Sequence, residues 1–272
     1  MTARFDEHLK QKPMGRIYHY TDQKGVKGIL ETKTIWATNI YYLNDTTEFA
    51  YAAGLVEKLA EERSIAGTPG AEILDACVEK LNIISDVRLD IFVACFSERA
   101  DRLSQWRGYC PEGGFCIGFD YSQLEPFLQQ QGFYLAKCIY EEVEQRVLIN
   151  ELFDDTVRRA ECEPDLADVA HTFLREFMRL SPVLKDRAFD EEQEWRLISS
   201  LAMQARKVRP GRHCFVPYRE LEVVEPGHGL DAEIIVGPTI DKELAVNSAR
   251  DLCRLTNTRD QVRDSAVPYR PR

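Results

Sequence analysis

The chain has 272 residues, of which 44% are hydrophobic and 29% charged, so it can bury a substantial core and has an ordinary globular composition. Its formal net charge of −10 argues against broad, sequence-independent nucleic-acid binding, which usually needs a basic surface. The first 13 residues lack the apolar core of a signal peptide, and no apolar run has the length of a membrane span. We therefore expect a cytoplasmic protein with no membrane partner.

The predicted elements follow from the spacing of apolar residues and from capping residues. Asp22 can cap a short helix, and Asp45 with Glu48 has the form of a capping box for another. Residues 90–97 form a continuous apolar run, which predicts a buried central strand. In chain order we expect strands at 16–21 and 34–38, helices at 45–63 and 73–84, strands at 90–97 and 114–120, a helix at 124–130, a strand at 133–140, helices within 141–184, strands at 195–199, 213–217 and 233–236, and a helix at 241–255.

Strands and helices are mixed without a regular βαβ repeat, which favours an α+β fold over a doubly wound one. We expect a mixed, largely antiparallel sheet with flanking helices. Residues 1–14 are predicted to be a flexible segment, and residues 15–272 a single domain with a helical insertion at about 141–184. The chain has eight cysteines and no Cys-x-x-Cys pair, which predicts small buried side chains in a reducing compartment and no metal site.

Two patterns are candidates for chemistry. His19 lies on the first predicted strand between two tyrosines, where it can bond to a ribose hydroxyl or a carboxamide while a tyrosine such as Tyr20 stacks on a flat ring. A half-buried histidine bonded to a backbone carbonyl explains the same pattern. Glu192 and Glu194 would point to one face of an extended chain. Their repulsion calls for a cation between them, which is a bound substrate, Lys185, Arg187 or Arg196.

The segment after the central strand also holds polar and aromatic residues. Trp106 and Tyr109 either cover the core or stack on a ligand, and the planar fork of Arg107 suits a pyrophosphate. Asn44 precedes the capping box and is left without an assigned role. Gly-x-Gly-x-x-Gly, Gly-x-x-x-x-Gly-Lys-Ser/Thr, Gly-x-Ser-x-Gly and His-Glu-x-x-His are all absent, which disfavours Rossmann oxidoreductases, P-loop enzymes, α/β-hydrolases and zincins.

The chain resembles a bacterial family known only as domain of unknown function 2971. The resemblance is carried by six pieces in the same order: residues 18–21, 35–37 with 43–48, 95–97, 105–109, 114–119 and 185–196. A strand with His19-x-Thr21, a helix with residues 28–30 and a short strand also resemble the start of the ADP-ribosyltransferase superfamily.

That second resemblance implies an activity. It implies that His19, with Tyr20 and Thr21 beside it, binds NAD, that Glu194 is the catalytic acid, and that Glu192 faces the acceptor. Tyr41, Tyr42 and Ser97 are alternatives for the middle residue of the motif. With Asn44, Trp106, Arg107 and Arg196 as further candidate contacts, the expected activity is transfer of ADP-ribose to a protein or nucleic acid, or hydrolysis of NAD. A toxin or anti-phage defence effector is the expected role.

Two other classes of function compete. A nucleic-acid-directed protein would use Trp106, Arg107 and the basic residues 206–212, with the arginines of residues 259–272 as another basic segment. A non-catalytic sensing or interaction module would carry Glu192 and Glu194 only as surface acids.

Overall fold

A computed structural model describes residues 3–43, 48–85, 90–163, 165–199, 206–211 and 213–268. The helices are α1 (Ala3–Leu9), α2 (Gln23–Thr32), α3 (Glu48–Ile65), α4 (Ala71–Ser85), α5 (Leu103–Tyr109), α6 (Tyr121–Gln130), α7 (Glu142–Ala160), α8 (Leu166–Leu180) and α9 (Lys242–Leu255). The strands are β1 (Arg16–Thr21), β2 (Thr34–Asn39), β3 (Phe92–Ser97), β4 (Phe115–Asp120), β5 (Phe133–Lys137), β6 (Glu194–Ser199), β7 (Lys207–Pro210), β8 (Phe215–Glu222), β9 (Ala232–Val236) and β10 (Val262–Asp264). Short 3₁₀ turns lie at Ile40–Tyr42, Ser181–Val183 and Arg187–Glu192.

The strands form one mixed sheet that is antiparallel except where β10 runs parallel to β9. Its main path is β10-β9-β4-β1-β3-β2-β8-β7, and β6 joins β3 from the other side and carries β5. Strand β3 is therefore the junction of the sheet, and its nearly complete burial confirms the central strand that its apolar run predicts. The α+β class and the largely antiparallel sheet are likewise confirmed.

Helices cover both faces of the sheet. Alternation along β3 directs Val93 to one core, shared with α3, α4, α7 and α8, and directs Phe92, Ala94 and Phe96 to the other, shared with α2, α6 and α9. The two helices within residues 141–184, α7 and α8, pack on α3 and α4. These four helices form one layer, and the expected insertion supplies two of them. A smaller third core lies under α5.

Local signals explain several element ends. The Asp22 carboxylate accepts a hydrogen bond from the backbone N–H of Gly25, as expected for the cap of α2. The segment expected to be flexible contains α1, because Phe5 is buried in the helical core and Nε2 of His8 lies 2.8 Å from the carbonyl oxygen of Lys137. Residues 207–210 of the basic segment stay largely exposed and also pair with β8 as the short strand β7.

Other expectations concern cysteines and membranes. All eight cysteines are free thiols, and five of them are buried: Cys77, Cys110, Cys116, Cys138 and Cys253. Among the helices of the described ranges, none combines the length and the apolar character that a bilayer crossing needs.

Candidate functional site

The candidate site is a pocket at the place where β1 and β3 separate. The two strands share one register pair, Tyr18 with Ser97, and on the other side of β3 the same Ser97 pairs with Glu194 of β6. This row across three strands brings residues from distant parts of the sequence together. The cavity has a volume of about 60 Å³ and is lined by residues 18–20, residues 95–97, Gln105, Tyr109, Glu192 and Glu194.

His19 fills the gap that opens between β1 and β3. Its Nδ1 lies 2.9 Å from the backbone oxygen of Cys95. Because a carbonyl oxygen only accepts, Nδ1 carries the proton and the lone pair of Nε2 is left for another donor. Burial lowers the pKa of His19 although the Cys95 contact opposes it, so the ring is neutral at neutral pH. His19 therefore presents a hydrogen-bond acceptor.

Glu194 is held in a buried cluster of charges and has little freedom. Its Oε1 accepts from Nε of Arg196 at 3.0 Å, and its Oε2 accepts from Nζ of Lys185 at 2.6 Å and from Nη2 of Arg196 at 3.1 Å. Burial alone would raise the pKa of Glu194, but Arg196 and Lys185 outweigh it and bring the pKa to about 2. With its side chain 3% exposed and its pKa lowered, Glu194 is a structural acid that is charged at neutral pH.

Glu192 is differently placed. Its Oε2 accepts from Nζ of Lys185 at 2.5 Å, and its side chain is 19% exposed. Burial raises the pKa of Glu192 even though Lys185 favours the charged form. Of the two acids, Glu192 is the one with a more accessible carboxylate beside the pocket.

The sequence reading placed both acids on one extended strand, and the structure places only Glu194 there. Glu192 ends the 3₁₀ turn, and Gln193 has a φ of 44° that redirects the chain into β6. The hydroxyl of Ser97 donates to the backbone oxygen of Glu192 at 2.8 Å and accepts from the N–H of Arg99 at 3.1 Å. Ser97 thus fixes the backbone of Glu192, and its hydroxyl is engaged in that task.

The cluster carries an excess of negative charge. Glu48, at the start of α3, accepts from Nη2 of Arg196 at 2.7 Å and lies 3.5 Å from Nζ of Lys185. Three carboxylates thus share two cations, and the buried Oε2 of Glu48 has no hydrogen-bond partner in the described chain. The cations expected from the sequence are therefore Lys185 and Arg196, and the net negative charge favours a cation in the adjacent pocket.

Helix α5 closes the pocket, and it is not among the helices that the apolar spacing predicts. Gln105 and Tyr109 are four residues apart and share the face that lines the cavity. Trp106 is fully buried, packs edge-on against Tyr20 and donates to Oδ1 of Asp101 at 2.8 Å. It is a core residue and does not line the cavity.

The other predicted contacts are distributed unevenly. Tyr20, Ser97, His19 and both acids line the cavity. The hydroxyl of Tyr20 is itself engaged, since it donates to the oxygen of Arg99 and accepts from the N–H of Arg102. The remaining candidates lie outside the lining: Thr21, Tyr42, Trp106, Arg107 and Arg196. Arg107 is exposed, Arg196 lies behind Glu194, and Asn44 and Asp45 are outside the described residues.

The basic segments offer little support for nucleic-acid binding. Arg206 pairs with Asp90 and Lys207 with Glu220, while the guanidinium of Arg209 lies over the ring of Trp36. In the other segment, Arg259 pairs with Asp231 and Arg263 with Glu233. Arg212, Arg270 and Arg272 are outside the described residues. The described basic side chains are therefore largely neutralised by acids of this same chain.

Sequence reasoning missed three participants, Glu48, Gln105 and Cys95, whereas Tyr109 was expected either to cover the core or to stack on a ligand. Glu48 was assigned to a helix cap, and its burial depends on contacts with distant residues. The helical spacing of Gln105 and Tyr109 was a usable signal, but Gly108 and the lack of a capping side chain at Arg102 hid the helix.

The fold and pocket define an α+β protein with a small, acidic, largely buried polar site. A family model described as "Protein of unknown function (DUF2971)" matches residues 105–197, so the resemblance to that family is confirmed over this stretch. The stretch begins at Gln105 and ends within β6, and it contains Tyr109 and both pocket acids. No curated protein and no solved structure matches the chain.

Proposed function

We propose that the pocket is the centre of an NAD-consuming, ADP-ribosyltransferase-like enzyme. The observation that supports this most directly is that His19 of β1 lines the same cavity as Glu192 and Glu194, although the acids lie far away in the sequence. The resemblance to the superfamily requires a first-strand histidine and a late glutamate to meet around one sugar. The acceptor is a protein, a nucleic acid or water, and the biological role is that of a toxin or anti-phage effector.

Under this proposal the two acids have different roles. Glu194 is already saturated by Lys185 and Arg196, so it orders the cluster and does not contact the sugar. Glu192 takes the role nearest the substrate, because its carboxylate is more exposed and is held by one cation. The neutral His19 accepts a hydrogen bond from a ribose hydroxyl through Nε2.

The chemistry suits an acidic site. When the bond between nicotinamide and ribose breaks, its electron pair leaves with nicotinamide and positive charge develops on the ribose carbon and ring oxygen. A carboxylate beside that centre stabilises the cation, as in glycoside hydrolysis, until a nucleophile supplies a new electron pair. In NAD the nicotinamide ring carries the positive charge before the bond breaks, and the excess of one carboxylate in the cluster favours the transfer of that charge to the ribose.

The size of the cavity sets a limit on this mode of binding. Pockets that enclose a drug-sized ligand usually have about 300–1,000 Å³. The 60 Å³ cavity accommodates one edge of the ribose, and the rest of NAD lies outside it. Arg107, the residue that the sequence offers for a pyrophosphate, is exposed and does not line the cavity, and it lies two residues from Gln105 on α5, on a different face of the helix.

The test is release of nicotinamide from NAD by the purified full-length chain, measured by chromatography with and without bacterial lysate as a source of acceptors. Glu192→Gln is expected to lower the rate by about 10²–10⁴-fold. Glu191→Gln is a matched control, since Glu191 is its exposed neighbour and does not line the cavity. Absence of consumption under all conditions, or equal rates for both variants, would contradict the proposal.

The small cavity also favours a second candidate, a non-catalytic module that senses a small polar ligand. In that case NAD or a fragment of it binds with a measurable Kd while no nicotinamide is released. Calorimetry on the same preparations separates the two candidates.

A further inference from the structure

We infer that Gln105 and Tyr109 form a recognition wall that selects an uncharged, hydroxyl-bearing sugar edge and rejects a phosphate. The inference rests on the proposed function for the choice of ribose, and it assigns to these two side chains the hydrogen bonds that determine specificity. Four observations carry it: their placement, their lack of partners, the charge around them and the size of the cavity.

The placement is a consequence of how α5 is anchored. Trp106 and Cys110 occupy one face of the helix and are buried in the third core, with the thiol of Cys110 donating to the backbone oxygen of Thr21. Gln105 and Tyr109 occupy the neighbouring face and line the cavity. Because the anchors fix the rotation of α5, an amide and a phenol are held toward the same small space.

The two side chains have no hydrogen-bond partner in the described chain. Gln105 is only 5% exposed, yet its amide atoms are not among the fully enclosed unpartnered atoms of the described residues, which is consistent with their facing the cavity. Gln145 shows the usual arrangement in this same molecule: its Oε1 accepts from the hydroxyl of Tyr51, and its Nε2 donates to the oxygens of Ile139 and Lys185. The difference indicates that the partner of Gln105 is not part of the fold.

The charges exclude an anionic ligand. The cations that hold the pocket acids, Lys185 and Arg196, are already bonded to three carboxylates. His19 is neutral, and burial raises the pKa of Tyr109 well above its usual range, so the phenol also stays neutral. A phosphate in the cavity would meet Glu192 and Glu194 without a free cation among the described lining residues, whereas sugar hydroxyls both donate and accept.

The volume agrees with this choice. About 60 Å³ is well below the roughly 300–1,000 Å³ of pockets that enclose a drug-sized ligand, so the cavity admits only a small part of one, such as the edge of a sugar. Glu192 and His19 supply acceptors and Gln105 and Tyr109 supply donors to this one cavity, so hydroxyl groups there can both donate and accept.

The experiment measures binding of nicotinamide riboside, which has no phosphate, and of inorganic phosphate, which has no sugar, to the full-length chain by calorimetry. Gln105→Met and Tyr109→Phe are each expected to weaken nicotinamide riboside about tenfold, the equivalent of one hydrogen bond, and inorganic phosphate is expected not to compete for the site. Gln129→Met, at an exposed position of α6, is the control and should leave the Kd of nicotinamide riboside unchanged.

Two further readouts distinguish recognition from a structural role. Gln105→Met should leave the urea midpoint of the free chain unchanged or higher, because it removes an unpartnered buried amide. The 2′-deoxy and 3′-deoxy analogues of nicotinamide riboside should bind the native chain about tenfold more weakly than nicotinamide riboside does. If a missing hydroxyl is the one that bonds to Gln105 or Tyr109, the variant of that residue should bind the deoxy analogue no more weakly than the native chain does.

Each outcome has a separate consequence. If both variants bind nicotinamide riboside as tightly as the native chain does, or if the native chain does not bind it, the inference is overturned even if Glu192-dependent consumption of NAD is observed. If binding depends on Gln105 and Tyr109 while NAD is never consumed, the recognition wall stands and the proposed enzyme does not.

Discussion

Replacing Arg196 by methionine tests whether the charge cluster is as dry and as tightly coupled as its geometry indicates. Arg196 is 1% exposed and bonds to both oxygens of Glu194, to Glu48 and to the backbone oxygen of Pro182 at 2.8 Å. Methionine keeps the unbranched stem and removes every one of these donors. Three carboxylates would then share Lys185 alone.

The expected loss can be obtained by two routes. Removing one partner of a buried ion pair costs about 3–5 kcal/mol, because the other partner stays buried and uncompensated. The pKa of Glu194 gives a second figure: a fall from 4.5 to about 2 corresponds to on the order of 3 kcal/mol of interaction that favours the charged form. Both are a large part of the 5–15 kcal/mol that stabilises a typical protein.

The pH dependence follows from the sign of that shift. Because the pKa of Glu194 is lower in the folded chain than in the unfolded chain, its contribution is complete above about pH 4.5 and is lost as the pH falls toward 2. Arg196→Met should remove much of this contribution, so the difference in stability between native and variant chains should shrink over the same interval.

The assay is urea unfolding followed by fluorescence at neutral pH and at several acidic pH values. Arg158→Met is the matched control, since Arg158 makes an exposed pair with Asp155 that should contribute less than about 1 kcal/mol. Arg196→Lys, which keeps the charge and loses the planar fork, provides an intermediate loss if the methionine variant fails to fold. A loss below about 1 kcal/mol for Arg196→Met, with an unchanged response to acid, would refute the reasoning.

Two further predictions concern α5 and the pH profile. The carboxylate of Asp101 accepts hydrogen bonds from Trp106, from the hydroxyl of Ser265 and from the N–H of Ala266. Asp101→Asn should therefore lower the free energy of unfolding by about 1.5–3 kcal/mol and speed hydrogen exchange in residues 103–109. Exchange no faster than in an Asp190→Asn control would contradict this prediction. Since burial raises the pKa of Glu192, NAD consumption should fall with acid at a pH above 4.5, and an acid limb at or below 4.5 would argue against an essential Glu192 carboxylate.

Much of the fold follows from local patterns. The apolar run before Ser97 predicts a buried strand, and Asp22 predicts the start of a helix, because in both cases the deciding interactions are within a few residues. The amphipathic spacing of α9 gives its position to within one residue at its start.

The elements that sequence reasoning missed are those held by distant partners. Helix α1 depends on Phe5 fitting into a core made by later helices, and β7 and β10 are short strands that exist through pairing with β8 and β9. A short peptide segment has no preference strong enough to predict such structure, since tertiary contacts outweigh its propensity.

The candidate site shows the same division. The sequence by itself supplied His19, the two acids and the need for a cation between them. The tertiary structure decided that Lys185 and Arg196 are the cations, that Glu194 is saturated while Glu192 is more accessible, and that Gln105 and Tyr109 complete the pocket. The physical reason is that strand register and burial depend on pairs of segments that are distant in the sequence. The row Tyr18–Ser97–Glu194 across β1, β3 and β6 determines which side chains meet. Their burial then shifts their pKa values and so determines which of them are charged.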